Sequence, residues 1–520
     1  MPFYEMLFNN HVKANADKSA LACDNFVYSY KELDRVVTKL AEKLQKIGVG
    51  CTDKVMLIHN NPCQYTLIML AIIKIGAIPM PVYSKMGQSK LEAMIHSYEV
   101  NYLIKAADNI FIKIEECDTL QCKDGIETYE IERGWTYIPE TQNVAANIDD
   151  MDKIKDELTV YRMFRDKDPS LERVKLILFT SGTTSTPKAI MLSQENIQAN
   201  ITSICDYLKL KKEDNILLIK DLSHSSSITS ELFVGLFSGC KIVMTTQLPI
   251  TKMILKILEK QNISVFFAVP TLLKGIMSYT KLPEYDLSKL RIINFYGASM
   301  YYKDILRLVG LFPAVNIFYS YGQTEASPRV TYIERENLLK KPSSCGRAIM
   351  NVKVHIEDKK GNILAPNVRG EVIVTGANVM LGYYKNPEKT ANTVINGRLH
   401  TGDLGYMDED GFLYITGRMD NMIISGGKNI YPEEIEGVLT SYEGVMEALC
   451  MARKKDNETS DLIAYIVLND GYELDYEALL GYCKSNLELY KIPKEIIVVE
   501  KLEKTPSGKI KRTAIDYDIR

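Results

Sequence analysis

VMLIHNNPCQYTLIMLAIIKIGAIPMPV, residues 55–82, sets two short apolar runs on either side of a longer one. Val55 to Ile58 is too short for a helix and stops at His-Asn-Asn-Pro, so it reads as a buried strand. Cys63 to Ile75 is long enough for a helix and ends at Gly76, a residue suited to the left-handed stop. Ala77 to Val82 reads as strand again. A strand–helix–strand order predicts α/β layers around a largely parallel sheet.

The same alternation extends outward. Upstream, YSYKELDRVVTKLAEKLQKIGVG (28–50) places Leu33, Val36, Val37, Leu40, Ala41 and Leu44 on one helical face. Ser29 and Glu32 have the spacing of a capping box, and Gly48 marks the stop. Downstream, residues 109–170 are charged and weakly periodic, which predicts short strands and a surface segment. The alternation resumes with strand Val174–Thr180, helix Gln194–Leu208, strand Asn215–Lys220, helix Ser230–Phe237 and strand Lys241–Thr245. Strands at Ser264–Ala268 and Leu290–Phe295 follow. From about residue 345 the texture becomes Gly-punctuated alternation, as in NVKVHIEDKKGNILAP, which predicts hairpins of an antiparallel or barrel-like lobe. The last stretch returns to mixed strand and helix.

The 520 residues correspond to about three or four domain-sized units. Lys plus Arg is 63 and Asp plus Glu 66, so a net charge of −3 offers no bulk attraction for nucleic acid or anionic membrane. Hydrophobic residues at 46% exclude a disordered chain. Ten scattered Cys fit neither a disulfide scaffold nor a zinc site and point to a reducing, cytoplasmic compartment. The opening MPFYEMLFNNHVK has no signal-peptide pattern. The most apolar run, Leu67–Ile73, stops at Lys74, too short for a membrane span.

Five polar segments carry candidate chemistry. Thr180-Ser181-Gly182-Thr183-Thr184-Ser185-Thr186-Pro187-Lys188 joins two apolar strands and offers hydroxyls, backbone N–H groups and an ammonium to a polyphosphate. It lacks the Walker A spacing and the helix that follows it. Tyr321-Gly322-Gln323-Thr324-Glu325 combines an aromatic face for a purine, a hydroxyl for a phosphate and a carboxylate for Mg²⁺. His400-Thr401-Gly402-Asp403 and Gly417-Arg418-Met419-Asp420 offer a carboxylate for ribose hydroxyls and a guanidinium beside it. Ser425-Gly426-Gly427-Lys428-Asn429 and Thr505-Pro506-Ser507-Gly508-Lys509 complete the set. Taken singly, each also reads as an ordinary solvated turn.

Their order along one chain resembles the adenylate-forming superfamily of acyl- and aryl-CoA synthetases, nonribosomal adenylation domains and luciferases. The resemblance spans essentially the whole length. It implies an α/β fold, with a large N-terminal domain (1–419) of layered α/β subdomains plus a small barrel-like β lobe. A small mobile α+β C-terminal domain (420–520) would follow a hinge at Asp420. It implies ATP and Mg²⁺ as cofactors and CoA, or a carrier protein's phosphopantetheine arm, as thiol acceptor. Thr180, Ser181, Gly182, Thr183, Thr184 and Lys188 would hold the phosphates. Ser185 and Ala189 stand where the family usually has Gly. Gly297 and Ala298 would line the adenine and acyl sites. Tyr321, Gly322 and Gln323 would contact adenine, and Thr324 a phosphate. Glu325 would be the metal ligand, and Asp403 with Arg418 would bind ribose. Lys509 would bridge the substrate carboxylate and the α-phosphate. Gly427 would lie beside the pantetheine tunnel.

The acyl pocket would include Leu222–Ser227, with His224, Ser226 and Ser227 joining Gly297 and Gly322. Amino-acid-activating relatives commonly place an Asp here. No acid lies between Leu222 and Ser230, and a buried ammonium without a counter-ion is costly. The expectation is therefore an acid lacking an α-amine. An oxygenase of luciferase type and an inert nucleotide-binding paralogue are the other readings the motifs leave open.

Overall fold

The structure is a computed structural model. It describes residues 1–24, 26–106, 118–123, 126–131, 135–137, 158–164, 166, 168–180, 187–247, 249–425, 428–454, 460–469, 471–504 and 510–512. Within 55–82 the pattern folds as read. Lys54–Ile58 and Ile78–Pro81 are parallel neighbours joined by the helix Pro62–Ile75. The Asn61 side chain accepts from the N–H groups of Cys63 and Gln64, and Gly76 ends the helix at φ 85°. Cys63 through Ile73 are all buried, as an all-round apolar helix must be. The preceding helix, Tyr30–Lys46, carries the expected capping box between Ser29 and Glu32 and buries the six predicted apolar side chains.

The largest sheet has nine strands. Its six central strands run parallel in the spatial order 316–322, 292–296, 265–268, 215–217, 241–244, 19–23. Antiparallel strands finish both edges. Successive residues serve opposite faces: Phe266 packs in one apolar cluster with Phe295 and Ile317, and Phe267 in the other with Phe233 and Ile242. In such a sheet a ligand crevice opens at the carboxyl ends of the parallel strands. Those ends include Ala268, Tyr296 and Gly322.

The amino ends of the same strands are pinned by Asp214. Its carboxylate accepts from the Lys211 N–H, from Ser264 Oγ and from Arg291 Nε (2.7 Å). Burial pushes this carboxyl up, but the hydrogen bonds, led by Arg291, outweigh it and hold it below its usual value. A depressed carboxyl contributes stability that is complete above its unfolded value, near ~3.9, and is lost as pH falls through the lower folded value. Asp214→Asn is expected to cost about 2–3 kcal/mol at neutral pH and to flatten the acid limb of a denaturation-versus-pH curve below about pH 4. Unchanged stability at pH 7 would contradict the role.

Two sequence expectations are adjusted. The strand from Asn215 stops at Leu217, and the helix read from Ser230 begins earlier, as a π-helix over Ser226–Leu232 that continues into the α-helix Phe233–Phe237. Of residues 109–170, the described part forms four strands and the short turn Pro169–Leu171. From Val352 an open antiparallel sheet of five strands is built around Arg398–Met407. Beyond it, a hairpin, helix Pro432–Ser441, the sheet of Val445–Lys454, Ser460–Leu468 and Glu495–Val498, and helix Tyr476–Asn486 follow. Ile430, Ile435, Leu439, Cys450, Ala464 and Leu479 give this last region a core of its own. No helix among the described residues is long and apolar enough to cross a membrane.

Candidate active site

The crevice is built where three chain segments meet. The first is the end of the strand Asn316–Gly322. Gly322 pairs with Arg329 across the antiparallel edge, and a 3-10 turn over Thr324–Ala326 leads into that return. Two buried asparagines fix the turn. Asn200 and Asn378 each donate to the carbonyls of Ala326 and Arg329, at 3.0–3.2 Å. Ser327 Oγ donates to Asn378 O. Thr324 Oγ1 lies 3.1 Å from Ser225 Oγ, tying the turn to the serine segment.

The second segment is a strand pair. His400–Asp403 lies inside the strand Arg398–Met407, not at a hairpin turn, so strand alternation buries Thr401 and Asp403 together. Arg418 sits opposite Asp403 on the neighbouring strand and donates to its Oδ1 at 2.8 Å and to Thr401 O at 3.2 Å. Tyr321 donates its hydroxyl to Asp403 Oδ2. Burial first, and the Asp403 charge second, push the Tyr321 phenol well above its usual value, so it stays a donor. Asp420 Oδ2 lies 3.6 Å from Arg418 Nη2 and is exposed.

The third segment is the hairpin Val174–Thr180 with Lys188–Ser193, in which Thr180 faces Lys188. Lys188 Nζ lies 5.8 Å from the centre of the Tyr383 ring. The Tyr383 hydroxyl donates to Glu325 Oε1 at 2.9 Å. Burial, then Lys389, lower the Lys188 ammonium, against the pull of Glu325 and Asp420. The structure therefore brings together Lys188, Glu325, Tyr321, Asp403, Arg418 and Asp420 from six separate strands and turns. Ser181, Gly182, Thr183 and Thr184 lie outside the described residues, as do Gly427 and Lys509. On either side of residues 505–509, Lys504 and Ile510 form a β-bridge, and Arg512 pairs with Glu436.

At the floor, Gly297 and Ala298 are exposed to the crevice just past Tyr296. Gly297 has φ +90°, which a side chain rarely adopts, although a Cβ there would meet only Val269 at 3.8 Å. His224 is half-buried in the turn that opens the π-helix, its N–H on Asp221 O at 3.3 Å. Ser226 hydrogen-bonds the Tyr296 hydroxyl, and Ser227 is fully buried. Gln323 is half-buried, with its Nε2 buried and unpartnered.

Sequence reasoning missed Glu231 and Arg329 here. Glu231 stands one position beyond the window searched for an acid. It is fully buried, accepts the Tyr296 hydroxyl and lies 3.2 Å from Lys220 Nζ. An acid thus does reach this floor, but Lys220 already meets its charge. Arg329 follows a proline with no periodicity to mark it, and its guanidinium carbon lies 4.1 Å from the centre of the Tyr296 ring. The one available signal was an acid, Glu231, opening the apolar run LFVGLF.

No group of three or more His, Cys, Asp and Glu suited to a metal occurs among the described residues. A magnesium ion carried on nucleotide phosphates needs only one or two protein oxygens. Glu325, oriented through one oxygen by Tyr383, fits that need.

Comparison with known proteins agrees over nearly the whole chain. The AMP-binding enzyme family matches residues 8–384, and the AMP-binding enzyme C-terminal domain matches 434–509. A feruloyl-CoA synthase of Amycolatopsis sp is 28% identical, covering 93% of this chain and 92% of the relative. A 2-succinylbenzoate–CoA ligase of Bacillus cereus is 28% identical over 95% and 94%. A long-chain-fatty-acid–CoA ligase of Bacillus subtilis is 28% identical over 95% and 91%. Among solved structures, o-succinylbenzoate CoA synthetase of Bacillus subtilis with its acyl-adenylate superposes with a TM-score of 0.78 at 24% identity, over 98% and 97% of the two chains. ATP-bound MatB from Rhodopseudomonas palustris gives 0.80 at 22%, over 98% and 97%. At these identities the structural likeness shows the fold.

Proposed function

The chain belongs to the AMP-binding enzyme family, and on that premise we propose that it is an AMP-forming acid–CoA ligase. It joins a carboxylic acid lacking an α-amine to ATP and passes the acyl group to the CoA thiol. The observation that carries this reading is the convergence of Asp403, Arg418 and Tyr321 beside Lys188 and Glu325 in one crevice.

The first step is attack of the substrate carboxylate on the α-phosphorus of ATP, with pyrophosphate leaving. Two anions must approach, so the site has to supply positive charge and donors. Lys188 and the Thr180–Thr184 loop hold the outer phosphates, and Thr324 donates to the α-phosphate region. Asp403, its second oxygen aligned by Arg418, accepts from the ribose hydroxyls. The ring of Tyr321, with Gly322 and Gln323, meets the adenine. Mg²⁺ held at Glu325 supplies charge neutralisation on the phosphates when bound. Lys509 spans the carboxylate and the α-phosphate. The second step is attack of the thiol on the acyl carbon, with AMP leaving. A rotation at Asp420, between domains 1–419 and 420–520, exchanges Lys509 for the Gly427 side of the small domain. Asp420 is exposed and lies 3.6 Å from Arg418 Nη2.

The acids named for the relatives differ widely at the same identity, so overall similarity does not set the acid. Cys23, Cys63, Cys205, Cys240, Cys345, Cys450 and Cys483 are free thiols, in keeping with a reducing cytoplasm. The test is pyrophosphate release with hydroxylamine trapping over fatty, aryl, hydroxyaryl and amino acids, followed by CoA and mass spectrometry. The reading expects at least one acid to release pyrophosphate and to end as its CoA thioester. Adenylation that CoA cannot discharge would replace CoA by a carrier protein's phosphopantetheine arm. ATP binding with no pyrophosphate from any acid would leave an inert paralogue.

A further inference from the structure

At the floor of the crevice, buried polar atoms stand without partners. Arg329 is 2% exposed, and its Nε and Nη2 have no hydrogen-bond partner. On the π-helix opposite, Ser227 Oγ, Ser230 Oγ and Glu231 Oε2 are likewise buried and unpartnered. π-Helical turns often mark functional sites, and this one buries Ser227, Ser230 and Glu231. Arg329 and Glu231 both meet Tyr296, the last residue of its parallel strand, immediately before Gly297. Lys220 Nζ sits 3.5 Å from the centre of the Tyr296 ring and Arg329 Cζ 4.1 Å. Ser226, Ser227 and Gly297, expected to line the acyl pocket, lie on the same elements or next to them, so we read this as the acyl end of the site.

The charges do not balance. Lys220 and Glu231 form a pair, and burial pushes Lys220 down to about 8, against the pull of Glu231 and with the push of Arg329. Arg329 is then a surplus buried cation. Such a group is costly unless an anion meets it. Nε and Nη2 form the side edge of the guanidinium fork, the edge that grips a carboxylate through two parallel hydrogen bonds. Ser227 and Ser230 are buried on the π-helix that carries Glu231.

The geometry points to a dicarboxylic acid as the substrate of this site, one carboxylate activated at the α-phosphate and the second held by Arg329. This rests on the acid–CoA ligase reading and names its substrate class.

The test compares dicarboxylic acids, aliphatic and aryl, with their monomethyl esters and monoamides. The readout is the ratio of kcat/KM for pyrophosphate release, diacid over ester. The wild type should prefer the diacid by about 100-fold or more, because the ester leaves a buried fork unmet. In Arg329→Gln the ratio should fall to within about tenfold of one, and in Arg329→Lys it should be intermediate. A wild type that accepts the ester as well as the diacid overturns the inference without any variant. So does an Arg329→Gln enzyme that loses both substrates alike and keeps the ratio, since Arg329 would then be structural. Pyrophosphate release with monocarboxylic acids alone overturns this inference and leaves the ligase reading standing. Release with no acid of any class overturns both.

Discussion

Lys509→Ala is expected to lower acyl-adenylate formation by about a thousandfold and to leave CoA transfer from a supplied acyl-adenylate within a few-fold of wild type. The first half-reaction brings two anions together and gains most from a cation placed between them. The second expels AMP from a neutral carbonyl and has no such need. Lys504 and Ile510, on either side of residues 505–509, form a β-bridge, and Arg512 pairs with Glu436. The check is single-turnover pyrophosphate release beside thioester formation from synthetic acyl-adenylate. Equal loss in both would contradict the assignment.

Gly322→Ala is expected to be the most damaging single methyl group in the crevice. A Cβ there would lie 1.8 Å from the Pro328 carbonyl oxygen and 3.1 Å from the Arg329 Cα, both backbone atoms. Backbone cannot swing aside as a side chain does, and Asn200 and Asn378 hold that very turn. The edge strand must therefore shift, and it carries Tyr321 and Thr324 with it. We expect a loss of more than ~4 kcal/mol in stability, or in any surviving folded enzyme a fall of about 100-fold in kcat/KM. Gly437→Ala is the control. It lies in the helix Pro432–Ser441 with nothing within 4 Å of its Cβ, and it should be neutral or stabilising by up to ~1 kcal/mol. A well-folded, fully active Gly322→Ala enzyme would refute the close approach.

The fold was legible wherever local pattern and burial coincide. Pro62–Ile75 is apolar all round and capped at both ends, so sequence and structure differ by one residue at its start. Val174–Thr180 and Gln194–Leu208 match their read limits. Pattern failed where the backbone leaves standard periods. The π-helix from Ser226 has no sequence period of its own, and a search for 3.6-residue spacing finds only its α-helical continuation.

The site divides in the same way. Tyr321, Glu325, Asp403 and Arg418 belong to short motifs whose order along the chain is distinctive, and the fold does bring them together. From distant positions, Tyr383 orients Glu325 through one hydrogen bond, and Asn200 and Asn378 hold the turn beside it through several. Glu231 and Arg329 pair with groups about 65 and 33 residues away, at Tyr296. A contact of that kind is set by sheet order and leaves no local spacing to read.

The central claim is that a carboxylate oxygen, and no side chain, attacks the α-phosphorus. The most direct test is turnover of an acid labelled with ¹⁸O in its carboxylate, in the presence of ATP, Mg²⁺ and CoA, with the nucleotide product analysed by mass spectrometry. Attack at the α-phosphorus followed by thiol displacement requires one labelled oxygen in each AMP, with unlabelled pyrophosphate. Label in inorganic phosphate beside ADP would mean attack at the γ-phosphorus and would contradict the account.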